Sequence, residues 1–107
     1  KANGAEIKQN SFGISPLMSA VQLGNFELVQ ALEPTFEDIN LQAEDGWTAI
    51  YFAIRRRDKQ IFDYILDGGA CVNFVDHYSQ TPVDFARESG WTYALDKAKK
   101  GKICALK

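Results

Sequence analysis

A self-similarity with a period of 33 residues constrains this chain more than any other feature of its sequence. Three segments align without a gap, at residues 15–20, 48–53 and 81–86. Each has a hydroxyl residue, then Pro or Ala, then an aliphatic residue, and Ala three positions after that. Such a period is typical of stacked repeat units, because one unit cannot bury its apolar face alone.

Each aligned segment predicts the start of a helix. The hydroxyl of Ser15, Thr48 or Thr81 is expected to accept a hydrogen bond from a backbone N–H of the first turn. Pro suits the first helical position, where its missing N–H costs nothing. Gly24 and Gly90 occupy equivalent positions and suit the left-handed conformation that ends a helix.

A second helix is predicted in each repeat, because apolar residues recur three and four positions apart in 26–32 and 59–66. In the first repeat we expect this helix to end before Pro34. We also expect a rearranged turn around Phe36. A left-handed residue would suit this position, but that conformation is strained for a bulky side chain.

The repeated string resembles the ankyrin repeat, whose consensus contains a Thr-Pro-Leu-His segment and a Gly-Ala-Asp-Val-Asn segment. The resemblance covers about residues 13–100. It implies an all-α solenoid of stacked helix-turn-helix units with short β-hairpin loops, and a role in protein recognition. The consensus His is replaced by Met18, Tyr51 and Asp84.

The resemblance also implies a division of the chain. The third repeat resembles a capping repeat, since polar residues and lysines would keep its outer face in water. Residues 4–7 resemble the end of a repeat, so we expect at least one more helix pair upstream. The predicted units are the end of a preceding or partial repeat (1–12), two ankyrin repeats (13–45 and 46–78), a C-terminal capping repeat (79–101) and a basic tail (102–107).

The charge distribution limits the kind of partner. Residues 1–96 have a net charge of −7, and residues 97–107 have a net charge of +5. An acidic body repels phosphate backbones, so nucleic acid is not an expected partner. The Lys-rich end is best explained as a solvated helix terminus, and a docking signal or membrane-surface patch remains an alternative. No apolar run is long enough to cross a membrane.

The two cysteines, Cys71 and Cys104, match no zinc or redox spacing. Together with the absence of a signal peptide, this favours a reducing, intracellular protein, cytoplasmic with the nucleus as an alternative. His77 is the only histidine, and its neighbour Asp76 should point to the opposite face of an extended arm. We therefore expect no enzyme, no metal site and no cofactor.

The function expected from the resemblance is a protein–protein interaction module, which binds a protein or peptide on its concave face of hairpins and inner helices. Its alternatives are a targeting or regulatory segment of a larger multidomain protein, including an enzyme, and a small autonomous inhibitor. We expect an apolar anchor of the partner near Trp47 and an acidic group near Arg55 and Arg56. The predicted contact residues are the aromatic residues Phe12, Trp47 and Tyr78 in a row on the arms, Tyr51, Arg55 and Arg56 on the middle repeat, and Glu44 and Asp45 on the middle arm.

Two of these assignments have structural alternatives. Trp47 could instead pack against the next arm. The run Arg55-Arg56-Arg57 could be a solvated helix end, where positive charge suits the helix dipole.

Overall fold

The computed structural model of the chain describes residues 12–105. The predicted upstream repeat and the unit 1–12 therefore lie almost entirely outside the described residues. Within the described part the fold is all-α, with isolated bridge pairing in place of strands. The seven helices are α1 (Pro16–Leu23), α2 (Phe26–Ala31), α3 (Phe36–Ile39), α4 (Ala49–Arg56), α5 (Lys59–Asp67), α6 (Pro82–Ser89) and α7 (Thr92–Lys99).

Two of the three predicted N-caps form as expected. The Ser15 hydroxyl accepts a hydrogen bond from the Met18 N–H at 3.2 Å. The Thr81 hydroxyl accepts one from the Asp84 N–H at 3.1 Å, and the Asp84 carboxylate accepts one from the Thr81 N–H at 3.1 Å. These reciprocal bonds satisfy backbone donors that the first helical turn leaves unpaired.

The prediction for Thr48 is wrong. Its hydroxyl is buried and has no hydrogen-bond partner among the described residues. The Tyr51 N–H donates instead to the backbone carbonyl oxygen of Thr48 at 3.1 Å. A backbone turn therefore replaces the side-chain cap at the start of α4.

The inner helices are the first helix of each repeat, α1, α4 and α6, and all three end at a residue in the left-handed conformation. Gly24 and Gly90 have φ angles of 69° and 73°, which confirms the prediction for both glycines. Arg57 occupies the equivalent position with φ 58° and ψ 40°. The repeat geometry requires the left-handed conformation at this position. In the middle repeat Arg57 adopts it, although the conformation favours glycine.

The end of the first repeat is rearranged as expected. Helix α2 ends at Ala31, before Pro34. Thr35 then caps the short helix α3, its hydroxyl accepting from the Asp38 N–H at 3.1 Å. Phe36 thereby begins a helical turn and avoids the positive φ of 106° that Gly69 adopts one repeat later.

The helices stack into a short solenoid. Helix α4 packs between α1 and α6 and against α5, while α5 also contacts α2 and α7. The centre of the core is aliphatic and aromatic, which gives each repeat a shared face to bury. Its largest fully buried apolar side chains include Met18, Ile50, Ile54, Ile61 and Phe62.

The arms are the non-helical segments that precede α1, α4 and α6, residues 12–15, 41–48 and 74–81, and backbone hydrogen bonds join adjacent arms. The Glu44 N–H donates to the Phe12 carbonyl oxygen at 3.0 Å, and the His77 N–H donates to the Asp45 carbonyl oxygen at 3.0 Å. A Cβ atom at Gly46 would lie 2.7 Å from the Asp76 Cα atom, so the arms approach closely enough to require glycine. The arms therefore lie side by side in fixed positions.

The two cysteines form a disulfide, with their Cα atoms 5.7 Å apart. They lie 33 residues apart in sequence, which is one repeat period, so stacking brings them together. This disulfide was not expected from the sequence, in which Cys71 and Cys104 match no zinc or redox spacing. Disulfides persist in oxidising compartments, and the expectation of a reducing environment thus loses its support from the cysteines.

Candidate functional site: the arms and inner helices

Trp47 packs into an aromatic cluster and is partly buried. Its indole N–H donates to the Asp76 carboxylate at 2.9 Å. Its ring stacks on Tyr51 at 5.4 Å between centroids and contacts the rings of Phe52 at 5.1 Å and Phe85 at 4.9 Å. Trp47 therefore fixes the middle arm to the next arm and to the inner helices, as in the alternative assignment.

The arm tips carry the exposed aromatic residues. Phe12 and Tyr78 are 66% and 79% exposed. Asp45 lies one repeat period from each of them, whereas Trp47 lies two residues further along the arm. The expected row of Phe12, Trp47 and Tyr78 is therefore not formed, because Asp45 occupies the equivalent position on the middle arm.

Tyr51 is fully buried, so the expectation that it lies exposed on the recognition face is wrong. Its hydroxyl lies 2.7 Å from the carbonyl oxygen of Phe74 and 2.6 Å from that of Gln80. Burial raises the pKa of this hydroxyl, and the negative charge of Asp76 raises it further. Tyr51 thus holds the arm between the second and third repeats from inside.

Arg55 lies exposed on the aromatic cluster. Its guanidinium carbon is 5.2 Å from the centroid of the Trp47 ring and 5.6 Å from that of Phe52. These distances allow cation–π attraction, which orients the side chain while leaving its charge accessible. Arg55 therefore keeps its charge at the surface beside the inner helices.

Arg56 and Arg57 reach in opposite directions along the stack. The Arg56 guanidinium donates to the Gln22 carbonyl oxygen at 3.1 Å, near the end of α1. The Arg57 guanidinium donates to the Ser89 carbonyl oxygen at the end of α6. Positive charge is favourable at helix C-termini, so both side chains join neighbouring repeats. Arg56 nevertheless remains exposed.

Acidic groups surround the middle arm. Glu44 and Asp45 are exposed, and the Asp45 carboxylate accepts a hydrogen bond from the Trp47 backbone N–H at 3.1 Å. Asp76 is buried, and its carboxylate also accepts from the N–H groups of Tyr78 and Gln80 at 2.9 Å each. Its hydrogen bonds stabilise the arm.

His77 is exposed at the hairpin tip, whereas the adjacent Asp76 is buried. The two residues therefore differ in burial, but they lie at a turn and not on the extended arm that was expected, since the Asp76 carboxylate accepts from the Tyr78 and Gln80 N–H groups. Within residues 12–105, no group of three or more His, Cys, Asp or Glu side chains is placed to hold a metal ion.

Sequence reasoning overlooked two aromatic residues, Phe52 and Phe85, which complete the cluster around Trp47. Their separation of one repeat period was a usable signal, because equivalent residues of stacked repeats lie side by side. The same signal was present for Cys71 and Cys104. Nothing in the local sequence indicated that Asp76 would accept the Trp47 indole hydrogen bond.

A comparison with known protein families agrees with this fold of stacked helix pairs, left-handed helix ends and paired arms. A family model of ankyrin repeats in three copies matches residues 17–96. The chain belongs to the ankyrin-repeat family. Ankyrin repeats are generally protein–protein interaction modules, and the fold is generally non-catalytic.

Similar proteins are longer than this ankyrin-repeat chain. It is 28% identical over 80 residues to the probable 26S proteasome regulatory subunit p28 of Saccharomyces cerevisiae, covering 73% of this chain and 35% of that protein. It is 41% identical over 64 residues to the ankyrin repeat and SAM domain-containing protein 6 of Rattus norvegicus, covering 59% and 7%. It is 29% identical over 104 residues to an L-asparaginase of Dirofilaria immitis, covering 95% and 18%. The chain thus spans about a third of the length of these relatives or less.

No helix among the described residues is long and apolar enough to span a membrane.

Proposed function

We propose that this ankyrin-repeat chain binds a protein or peptide segment on the concave face between its arm tips and the inner helices α1, α4 and α6. The observation that carries the proposal is the pair of exposed aromatic side chains, Phe12 and Tyr78, on arms that backbone hydrogen bonds hold in place. Large aromatic residues contribute much binding energy at low entropic cost.

The aromatic cluster supports this face from beneath. Trp47 ties the middle arm to Asp76 and orients Arg55. Groups that are already held in position lose less conformational entropy on binding. The proposed role of Trp47 is therefore to organise the contact surface, while Arg55 contacts the partner.

The chemistry of the face indicates what the partner offers. Arg55 suits a carboxylate or phosphate group, because its guanidinium can donate two parallel hydrogen bonds. Glu44 and Asp45 suit basic side chains and would orient the partner more than tighten it. We expect apolar groups of the partner to contact Phe12 or Tyr78 rather than Trp47, since Trp47 is engaged in the cluster.

Site-specific crosslinking tests the location of the partner. With p-benzoylphenylalanine in place of Tyr78, the chain should crosslink to one protein in cells of its source. The same probe in place of Gln60, which is exposed on α5, should not crosslink to that protein. Equal crosslinking from both positions would contradict a binding site on the concave face.

Titration of that partner tests the contact residues. Tyr78→Ala and Arg55→Ala should each weaken binding by about 1–3 kcal/mol, as truncation of aromatic and arginine contacts commonly does. Gln60→Ala should leave binding unchanged. Isothermal titration calorimetry measures all three, and wild-type affinity in both contact variants would place the partner on another surface.

A second candidate function is a targeting or regulatory segment of a larger multidomain protein. The observation that favours it is the coverage of two relatives. The match spans 35% of the probable proteasome regulatory subunit and 7% of the ankyrin repeat and SAM domain-containing protein. Sequencing of full-length transcripts tests it. An open reading frame that encodes Lys1–Lys107 with only a few further residues would contradict it.

A further inference from the structure

The segment 102–104, expected to be part of a solvated tail, pairs with residues 71–73. The Val72 N–H donates to the Lys102 carbonyl oxygen at 2.9 Å, and Cys71 and Lys102 form a parallel bridge. The Asn73 side chain accepts from the Cys104 N–H at 3.0 Å and donates to the Cys104 carbonyl oxygen at 2.8 Å. The disulfide joins the same two stretches covalently.

This pairing repeats an arrangement found one repeat earlier. The Asn40 side chain accepts from the Cys71 N–H at 2.8 Å and donates to the Gly69 carbonyl oxygen at 3.1 Å. Segment 102–104 therefore continues the same ladder of extended segments. Leu106 occupies the position one repeat after Asn73 in the sequence. Leucine has no side-chain amide, so it cannot bind a further segment as Asn40 and Asn73 do.

An open groove of about 840 Å³ lies beside this segment. Residues 102–105 form one wall, and residues from α3 and the arms form the other. Three of its lining residues, Phe36, Val75 and Ile103, are exposed to 48%, 51% and 71%. Several large apolar side chains around one groove are typical of an interaction site.

The groove also has a defined charge and an extended segment in its wall. Lys102 is the charged side chain among its described lining residues, and its Nζ atom lies 5.8 Å from the centroid of the Phe36 ring. Segment 102–104 is itself extended, since Cys71 and Lys102 form a parallel bridge. An extended peptide can lie along such a wall and contact its side chains.

We propose that this groove is a second protein-binding site, which takes an extended peptide with alternating apolar and acidic side chains. The Cys71–Cys104 disulfide maintains the wall of the site. The apolar side chains would contact Phe36, Val75 and Ile103, and a carboxylate would pair with Lys102. The site is separate from the concave face and does not depend on the function proposed there.

The disulfide makes the site sensitive to thiol reductants. A dithiol transfers two electrons to the Cys71–Cys104 bond; the S–S bond breaks, each sulfur takes a proton, and the dithiol becomes a cyclic disulfide. After reduction, the backbone bond from Val72, the Asn73 side chain and the Lys102–Phe36 contact hold segment 102–104. Because the Ile103 side chain is 71% exposed, it buries little apolar surface that would retain the wall.

Fluorescence anisotropy with two labelled peptides tests the groove. The probes are a fluorescein-labelled hexapeptide of alternating valine and glutamate, and its counterpart with lysine in place of glutamate. The oxidised chain should bind the glutamate peptide at least about tenfold more tightly. Lys102→Glu should reverse this preference, whereas Lys99→Glu, the same charge change on an exposed residue outside the groove, should preserve it.

The same titration in dithiothreitol tests the disulfide. Reduction, or the double change Cys71→Ser and Cys104→Ser, should weaken binding of the glutamate peptide at least about tenfold while the circular dichroism of the helices is retained. If the serine variant unfolds, Ile103→Asp in the oxidised chain should weaken binding to the same extent. Unchanged affinity after reduction would overturn the role of the disulfide, and equal binding of the two peptides would overturn the groove.

The concave face provides the last control. Tyr78→Ala and Arg55→Ala should leave binding of the glutamate peptide unchanged, because neither residue lines the groove. If either variant abolishes it, the peptide occupies the concave face and the groove proposal is wrong. If both bind the peptide normally but fail to bind the crosslinked partner, the two sites are independent.

Discussion

At the scale of single residues, Trp47 shows how one contact changes the role of a side chain. An exposed tryptophan on an arm is a good candidate for a binding anchor, but here its ring packs on three aromatic rings and its N–H is bonded to a buried carboxylate. We expect Trp47→Ala to lower the free energy of unfolding by about 3–5 kcal/mol, which is typical of a large aromatic residue removed from a packed site.

This expectation is checked by urea denaturation, with Tyr78→Ala as the control. Because Tyr78 is exposed, its truncation should change stability by no more than about 0.5 kcal/mol. Trp47→Phe retains a ring but leaves Asp76 without the indole hydrogen bond, so an intermediate loss is expected. If Trp47→Ala were as stable as Tyr78→Ala, Trp47 would not be a structural residue, and its assignment as a partner-contact residue would be restored.

Thr48 and Thr81 occupy the same position in successive repeats but differ in hydrogen bonding. The Thr81 hydroxyl caps α6, whereas the Thr48 hydroxyl has no partner among the described residues. Thr81→Val should therefore destabilise the chain by about 1 kcal/mol. Thr48→Val should be neutral or stabilising, because it removes a buried polar group that gains no hydrogen bond. Thermal melts of the two variants would contradict this if they showed equal losses.

At the scale of the helices, the left-handed residue after α4 has two opposite effects on stability. Its backbone conformation is unfavourable for a residue other than glycine, whereas its side chain makes a stabilising contact. Arg57 adopts φ 58° at a backbone cost of roughly 1 kcal/mol relative to glycine, and its guanidinium contacts the Ser89 carbonyl oxygen. Arg57→Gly loses the contact and relieves the backbone, so its stability should stay within about 0.5 kcal/mol of wild type.

Arg57→Ala separates these two effects. It loses the same contact but keeps a Cβ atom in the left-handed conformation, so it should be less stable than Arg57→Gly by about 1 kcal/mol. Urea denaturation of both variants measures the difference. If the alanine variant were the more stable, the helix would end in another conformation when the arginine contact is removed.

At the scale of the whole molecule, the hydroxyl of Tyr51 couples α4 to the arm between the second and third repeats. Its pKa is raised in the folded chain, first by burial and then by the charge of Asp76. The unfolded chain therefore releases this proton near pH 10 while the folded chain retains it. The stabilisation by neutral Tyr51 is complete below pH 10 and decreases as the pH rises above 10, by up to about 1.4 kcal/mol per pH unit.

Comparison with Tyr51→Phe isolates this effect from the other tyrosines. The difference in unfolding free energy between wild type and Tyr51→Phe should be largest near pH 8 and should shrink above pH 10. Urea denaturation at several pH values provides the measurement. A difference that stays constant up to pH 11 would mean that the hydroxyl is accessible to water in the folded chain.

Local interactions were determined by the sequence itself, because they involve residues close together in the chain. The caps at Ser15 and Thr81, the left-handed ends at Gly24 and Gly90 and the early end of α2 before Pro34 all depend on neighbours within a few positions. The period of 33 residues added the stacking of the repeats and the ankyrin fold.

Which side of each arm and helix is exposed was decided only by the tertiary structure. Tyr51 and Trp47 were expected at the recognition surface, but contacts with the next repeat bury Tyr51 and fix Trp47 in the aromatic cluster. The pairing of Cys71 with Cys104 likewise follows from stacking. The physical reason is that a repeat period states which residues are equivalent, whereas burial depends on the particular side chain that the next repeat places against each one.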